Sequence, residues 1–85
     1  MKTYIPISCS FYDQLEDIAV RKIKSKIIYL EDNSKKIVED YIVDFKNINK
    51  EEFLVLSSGD KIRLDMLIEV NNIKAPKRVV FKKHF

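Results

Sequence analysis

Between Lys26 and Val70 the sequence runs through five short stretches of β-branched and aromatic residues, with so little chain between them that antiparallel pairing is the natural outcome. The stretches are Lys26–Asp32, Lys36–Phe45, Glu52–Ser57, Lys61–Asp65 and Met66–Val70. Asp32-Asn33-Ser34 supplies turn chemistry between the first two, Asn33 being a residue that tolerates positive φ. Ser57-Ser58-Gly59-Asp60 holds the only glycine, where a hairpin turn needs one. The second stretch alternates imperfectly, and its slip at Glu39-Asp40 predicts a bulge or strong bend. Lys46 to Lys50 reads as a polar connection, and Glu52–Ser57 as a strand buried on both faces. Almost no loop separates Asp65 from Met66, which predicts a tight corner or a single 3₁₀ turn there. Five strands this short cannot hide their apolar faces as a flat sheet. A mainly β domain is expected, a small five-stranded, strongly bent barrel of the Sm-like or OB type with a helix over one opening.

The helix comes first in the chain. Residues 3–8 read as an extended arm, because Pro6 biases Ile5 away from helix. Ser10 stands where an N-cap belongs, Asp13 fills the reciprocal place of a capping box, and the helix is expected over about 11–23. Phe11, Leu15, Ile18, Ala19 and Ile23 recur at helical spacing as an apolar stripe. Asp13, Glu16 and Asp17 share a different, solvent-facing stripe, with Tyr12 at its edge. Two readings are open for these acids: they complement the positive end of the helix dipole, or they form a surface for a basic partner. Arg21 and Lys22 suit the negative end of the dipole. A leading helix followed by a long bent strand favours the Sm-like order over the OB type.

Composition narrows the function. Eighty-five residues make one domain with one modest core, and the 46% hydrophobic fraction is that of a folded chain. The net charge of +3 hides a split: 71–85 hold five basic and no acidic residues, so residues 1–70 sum to −2. Pooled charge therefore gives no reason to make the body a nucleic-acid binder. Cys9 and His84 lie at opposite ends with no further Cys or His, which argues against a metal site or a Cys–His nucleophile. A single glycine leaves no phosphate-cradling loop, and no carboxylate is isolated in an apolar setting. No enzyme, cofactor or metal is expected. No apolar stretch reaches the length of a membrane span and no signal-peptide pattern opens the chain, so a cytoplasmic location is expected.

At Tyr4-Ile-Pro6-Ile7-Ser-Cys9, Tyr12-Asp13-Gln-Leu15-Glu16, Glu52-Phe53-Leu54-Val55 and Ile62-Arg63-Leu64-Asp65 the chain resembles the Rho-binding antiterminator (Rof) family. These blocks cover most of residues 4–70. The resemblance implies an Sm-like fold and a protein that binds transcription-termination factor Rho at its RNA-binding N-terminal domain and blocks RNA loading. It implies Tyr12, Asp13 and Glu16 as Rho-contacting residues, and helix geometry adds Asp17. Arg63 and Asp65 are expected to pin the strand corner through a surface ion pair.

The domain is expected to span 1–70, with 71–85 a basic C-terminal tail or an added edge strand at Val79 to Phe81. A competing reading is an Sm-like RNA-binding module that uses Arg21, Lys22, Lys24, Lys26, Lys82 and Lys83, with Tyr29 and Tyr41 available for base stacking. A third is a structural role through strand addition at an exposed edge. A monomer is expected.

Overall fold

A helix caps two antiparallel sheets, and the helix begins and ends earlier than its periodicity suggests. In the computed structural model, which describes residues 4–76, α1 is Cys9–Val20. Its N-cap is Ser8 rather than Ser10: the Ser8 hydroxyl accepts from the Phe11 N–H at 3.2 Å, three residues on. Ser10 lies inside the first turn, and Asp13 is too far along to complete a capping box. Ile7 and Tyr12 occupy the positions of a hydrophobic staple, and both pack on the core.

The C-terminus is a Schellman motif. Lys22 turns left-handed at φ +56, its N–H donates to the Ala19 carbonyl, and the Ile23 N–H donates to the Ile18 carbonyl. Ile23 is therefore the residue that closes the helix, not its last turn. Lys22 holds a conformation that glycine adopts without strain. Lys22→Gly is expected to raise stability by about 0.5–1 kcal/mol, read as a higher urea midpoint at unchanged slope. A lowered midpoint would mean that the lysine side chain matters more than the backbone strain.

Three two-residue turns set the strands. β1 (Ser25–Glu31) and β2 (Ser34–Asp40) join through Asp32-Asn33, with Glu31 opposite Ser34. β3 (Ile42–Ile48) and β4 (Glu51–Leu56) join through Asn49-Lys50. β6 (Leu67–Val70) and β7 (Ile73–Lys74) join through Asn71-Asn72. All six turn residues have positive φ, the type I′ pattern that matches strand twist. The polar Lys46–Lys50 segment is thus mostly strand. β5 (Lys61–Arg63) follows β4 across the turn at Gly59, whose φ is +97. The 3₁₀ turn expected near Asp65 is Leu64–Met66.

The five-stranded, strongly bent barrel is not what forms. Among the described residues, seven strands make a four-stranded sheet, ordered β2-β1-β6-β7, and a three-stranded sheet, ordered β3-β4-β5. The predicted bend at Glu39-Asp40 goes further and breaks the long strand at Tyr41. There the Asp40 carboxylate accepts from the Tyr41 N–H at 2.6 Å, from the Ser58 N–H at 3.2 Å and from the Ser57 hydroxyl. Side-chain bonds replace ladder bonds, and the β3–β4 register shifts between Ile42 and Asp44. These bonds also hold the Asp40 carboxyl below its ordinary pKa, the Ser57 hydroxyl contributing most.

The core lies between the helix and the two sheets. Phe11, Leu15 and Ile18 of α1 meet Ile27, Ile42, Leu54, Leu56, Ile62, Leu64, Leu67 and Val70. β4 buries Leu54 and Leu56 fully but leaves Phe53 and Val55 half-buried, so only one of its faces is core. β7 adds a short edge to β6. The edge strand expected at Val79–Phe81 lies outside the described residues.

Candidate functional site

The acids of α1 stand clear of the helix start. With Cys9 as the first helical residue, no acidic residue falls in the first turn, and Asp13, Glu16 and Asp17 lie in the middle and second half. The dipole attracts anions only within its first turn, so capping and dipole compensation do not account for them. All three are exposed. Asp17 pairs with Arg21 at 3.2 Å in an i,i+4 geometry, both side chains being more than half exposed. Such a pair contributes only about 0.3–0.5 kcal/mol. Asp13 and Glu16 make no ion pair among the described residues.

Tyr12 anchors this face to the sheet. Its ring lies 5.1 Å from that of Phe45 between centroids, tilted by 34°. Burial, then the nearby Glu16 and Glu52 carboxylates, raise its pKa and keep the phenol neutral. Beside the pair runs a groove between α1 and β3, lined by Asp13, Glu16, Asp17, Val43, Asp44 and Phe45, with Val20 and Lys22 at its helix end. Val20 is 79% and Val43 56% exposed. Carboxylates beside aliphatic and aromatic groups along one groove suit a lysine or arginine side chain, apolar along its stem and cationic at its tip. Asp44, Val43 and Phe45 were not identifiable from helix periodicity. Only the packing of β3 under α1 puts them beside the acids.

The described basic residues of the RNA-binding reading, Arg21, Lys22, Lys24 and Lys26, are all exposed. Arg21 is engaged by Asp17, and Lys22 lines the acidic groove. Lys24 is exposed in the connection to β1, and Lys26 stands opposite Glu39 in the β1–β2 register. Lys82 and Lys83 lie outside the described residues. Of the two candidate stacking tyrosines, Tyr41 is exposed at the strand break. Tyr29 is half-buried and lines, with Phe53 and Met66, a cleft between the β1–β2 and β4–β5 hairpins.

Arg63 and Asp65 form a buried pair rather than a surface one. Arg63 Nε donates to Asp65 Oδ1 at 2.6 Å and Nη2 to Oδ2 at 3.0 Å, with the side chains 8% and 2% exposed. Glu51 approaches Arg63 Nη1 at 3.4 Å. The bond to Asp65 is the largest influence raising the Arg63 pKa, against burial, which lowers it. Asp65 Oδ2 also accepts from the Ile5 N–H at 3.0 Å, the Tyr4 hydroxyl donates to Glu52 at 2.9 Å, and the guanidinium lies 5.7 Å from the Tyr4 ring centre. Tyr4, Glu52, Arg63 and Asp65, from three separated stretches of sequence, thus meet in one cluster that ties the N-terminal arm to the 3₁₀ corner.

Burial, the bond to Glu52 and the Glu52 and Asp65 charges push the Tyr4 phenol well above its ordinary pKa, Arg63 acting weakly the other way. Its folded-state pKa is raised, so its stabilisation is complete below the unfolded value of about 10 and fades as pH rises beyond it. Tyr4→Phe is expected to cost about 1–2 kcal/mol at neutral pH by removing a bond to a carboxylate. The gap between variant and parent in urea midpoint should narrow above pH about 10. A gap that stays constant with pH would show that the hydroxyl makes no such bond.

Among the described residues no group of three or more His, Cys, Asp and Glu is placed to hold a metal ion, and Cys9 is exposed. No helix among them is long and apolar enough to cross a membrane. Comparison of the chain with known protein families, with curated proteins and with solved structures returns no match.

Proposed function

We propose that this protein is a cytoplasmic, non-enzymatic inhibitor of transcription-termination factor Rho, docking the acidic face of α1 on Rho's RNA-binding N-terminal domain and blocking RNA loading. The observation that carries the reading is the position of Asp13, Glu16 and Asp17: exposed, beyond the first turn, and beside Asp44 along a groove also lined by Val43 and Phe45. A surface that holds RNA phosphates is basic, so a competitor for it presents carboxylates. The contact of Tyr12 with Phe45 packs this face against β3, and a face packed in this way has less to order on docking. The resemblance to Rho-binding antiterminators is what names the partner, and the groove supplies only its chemistry.

The Sm-like reading of the fold belongs with this proposal. Sheet neighbours run β7-β6-β1-β2 and then β3-β4-β5, with β2 and β3 a single bent strand interrupted at Tyr41. A leading helix and that strand order support the Sm-like reading. The RNA-binding alternative draws on exposed Arg21, Lys22, Lys24 and Lys26, of which Arg21 pairs with Asp17 and Lys22 borders the acidic groove.

The test is a titration of the purified protein into Rho with labelled RNA bound at its primary site. Displacement is expected, weakening as salt rises. Asp13→Lys with Glu16→Lys is expected to reduce it at least about tenfold, on the scale of charge pairs across an interface. Absence of displacement, with the labelled RNA bound by this protein instead, would replace the inhibitor by the RNA-binding module.

A further inference from the structure

The outer edge of β2 carries a pattern that Rho docking does not use. β2 is the end strand of its sheet, and among the described residues no strand pairs with its outer side. The direction of its backbone groups follows from β1. The Lys26 N–H donates to Asn71 Oδ1 and its carbonyl accepts from the Asn71 N–H, both at 3.0 Å, so Lys26 bonds toward β6. Alternate residues of a strand bond in opposite directions, so Ser25, Ile27, Tyr29 and Glu31 bond toward β2. Their partners are Asp40, Val38, Lys36 and Ser34. The N–H and C=O groups left facing outward are those of Lys35, Ile37 and Glu39. Side chains of the same three residues share one face and are exposed, Ile37 at 60%.

We propose that β2 is a self-association edge, pairing antiparallel with β2 of a second copy about a twofold axis through Ile37. In this register Lys35 of each copy lies opposite Glu39 of the other, and the two Ile37 residues meet at the axis. Every outward N–H and C=O of the three residues finds a partner. An exposed edge lysine ordinarily discourages pairing. Here the twofold places a carboxylate opposite it, so the charges that repel a random strand select this one. Centring the pair on Val38 instead would set Ile37 against Glu39. The Ile28 side chain lies beside Ile37 across β1, and the exposed Leu30 beside Lys35, which extends the apolar strip at the junction. A single seven-residue edge is far smaller than a standard interface, so association belongs to high protein concentration.

Sedimentation equilibrium of the full chain over a wide concentration range, with backbone amide exchange followed in parallel, tests this. Mass should rise toward that of a dimer with concentration, and exchange should slow at the amides of Lys35, Ile37 and Glu39. K35E and E39K should each remain monomeric, because both oppose like charges across the axis. An equimolar mixture of the two should associate again. In that mixed pair the carboxylate introduced by K35E faces the ammonium introduced by E39K, and the native Glu39 of the first variant faces the native Lys35 of the second. A mass independent of concentration, the monomer expected from the sequence, overturns the proposal. So does a dimer indifferent to both reversals, or one that protects amides elsewhere.

Discussion

Asp65→Ala is expected to lower the stability of this domain by about 3 kcal/mol, the lower end for a broken buried pair because Glu51 still faces Arg63. The aspartate makes two bonds to the guanidinium and one to the Ile5 N–H, so its loss frees the arm and the corner together. A domain of this size has roughly 4–13 kcal/mol in total, which makes the change severe. Urea unfolding measures it, and a loss below about 1 kcal/mol would place the pair with ordinary surface ion pairs. Replacing both partners, Arg63→Met with Asp65→Leu, is expected to recover part of the loss, since apolar groups can substitute for a buried pair. Recovery stays incomplete because the Ile5 N–H gains no acceptor.

Phe11→Ala is expected to cost about 3–5 kcal/mol. The ring is 1% exposed and packs in the core shared by α1 and the two sheets, so truncation leaves a cavity where the helix meets the sheets. Thermal unfolding should show an early loss of helical signal. This change and the Asp13/Glu16 reversal separate support from contact. Phe11→Ala should weaken Rho binding together with stability, whereas the double reversal should weaken binding at nearly unchanged stability. Were the reversal to destabilise the fold as strongly as Phe11→Ala, the acids would be structural and the docking face would lie elsewhere.

Local features of the fold were legible wherever the chain's own chemistry decides them. The apolar stripe of Phe11, Leu15 and Ile18 is the buried face of α1, because helical period and burial are linked. Asp32-Asn33 and Gly59 make their turns through residues that tolerate positive φ. The 3₁₀ corner at Asp65 and the irregularity at Glu39-Asp40 also follow from the pattern. The helix ends differ from the pattern because Ser8 and Ser10 are equally good caps on paper. Lys22 is not a residue that advertises a left-handed turn. The Asn49-Lys50 hairpin was hidden for the same reason, although Asn49 was a usable signal.

By itself the sequence determined a mainly β domain behind one amphipathic helix, and it put Asp13, Glu16 and Asp17 on the exposed side of that helix. Those outcomes rest on periodicity and backbone preference, which act over a few residues. Only the tertiary structure decided that the long strand breaks at Tyr41 and that two sheets form in place of one five-stranded barrel. It also placed Asp44 and Phe45 beside the helix acids and turned Arg63 and Asp65 into a buried clamp on the arm. Each of these depends on contacts between residues far apart in the chain, such as Asp40 with Ser57 or Ile5 with Asp65. Such contacts form only when burial of the whole core outweighs the entropy of bringing distant segments together.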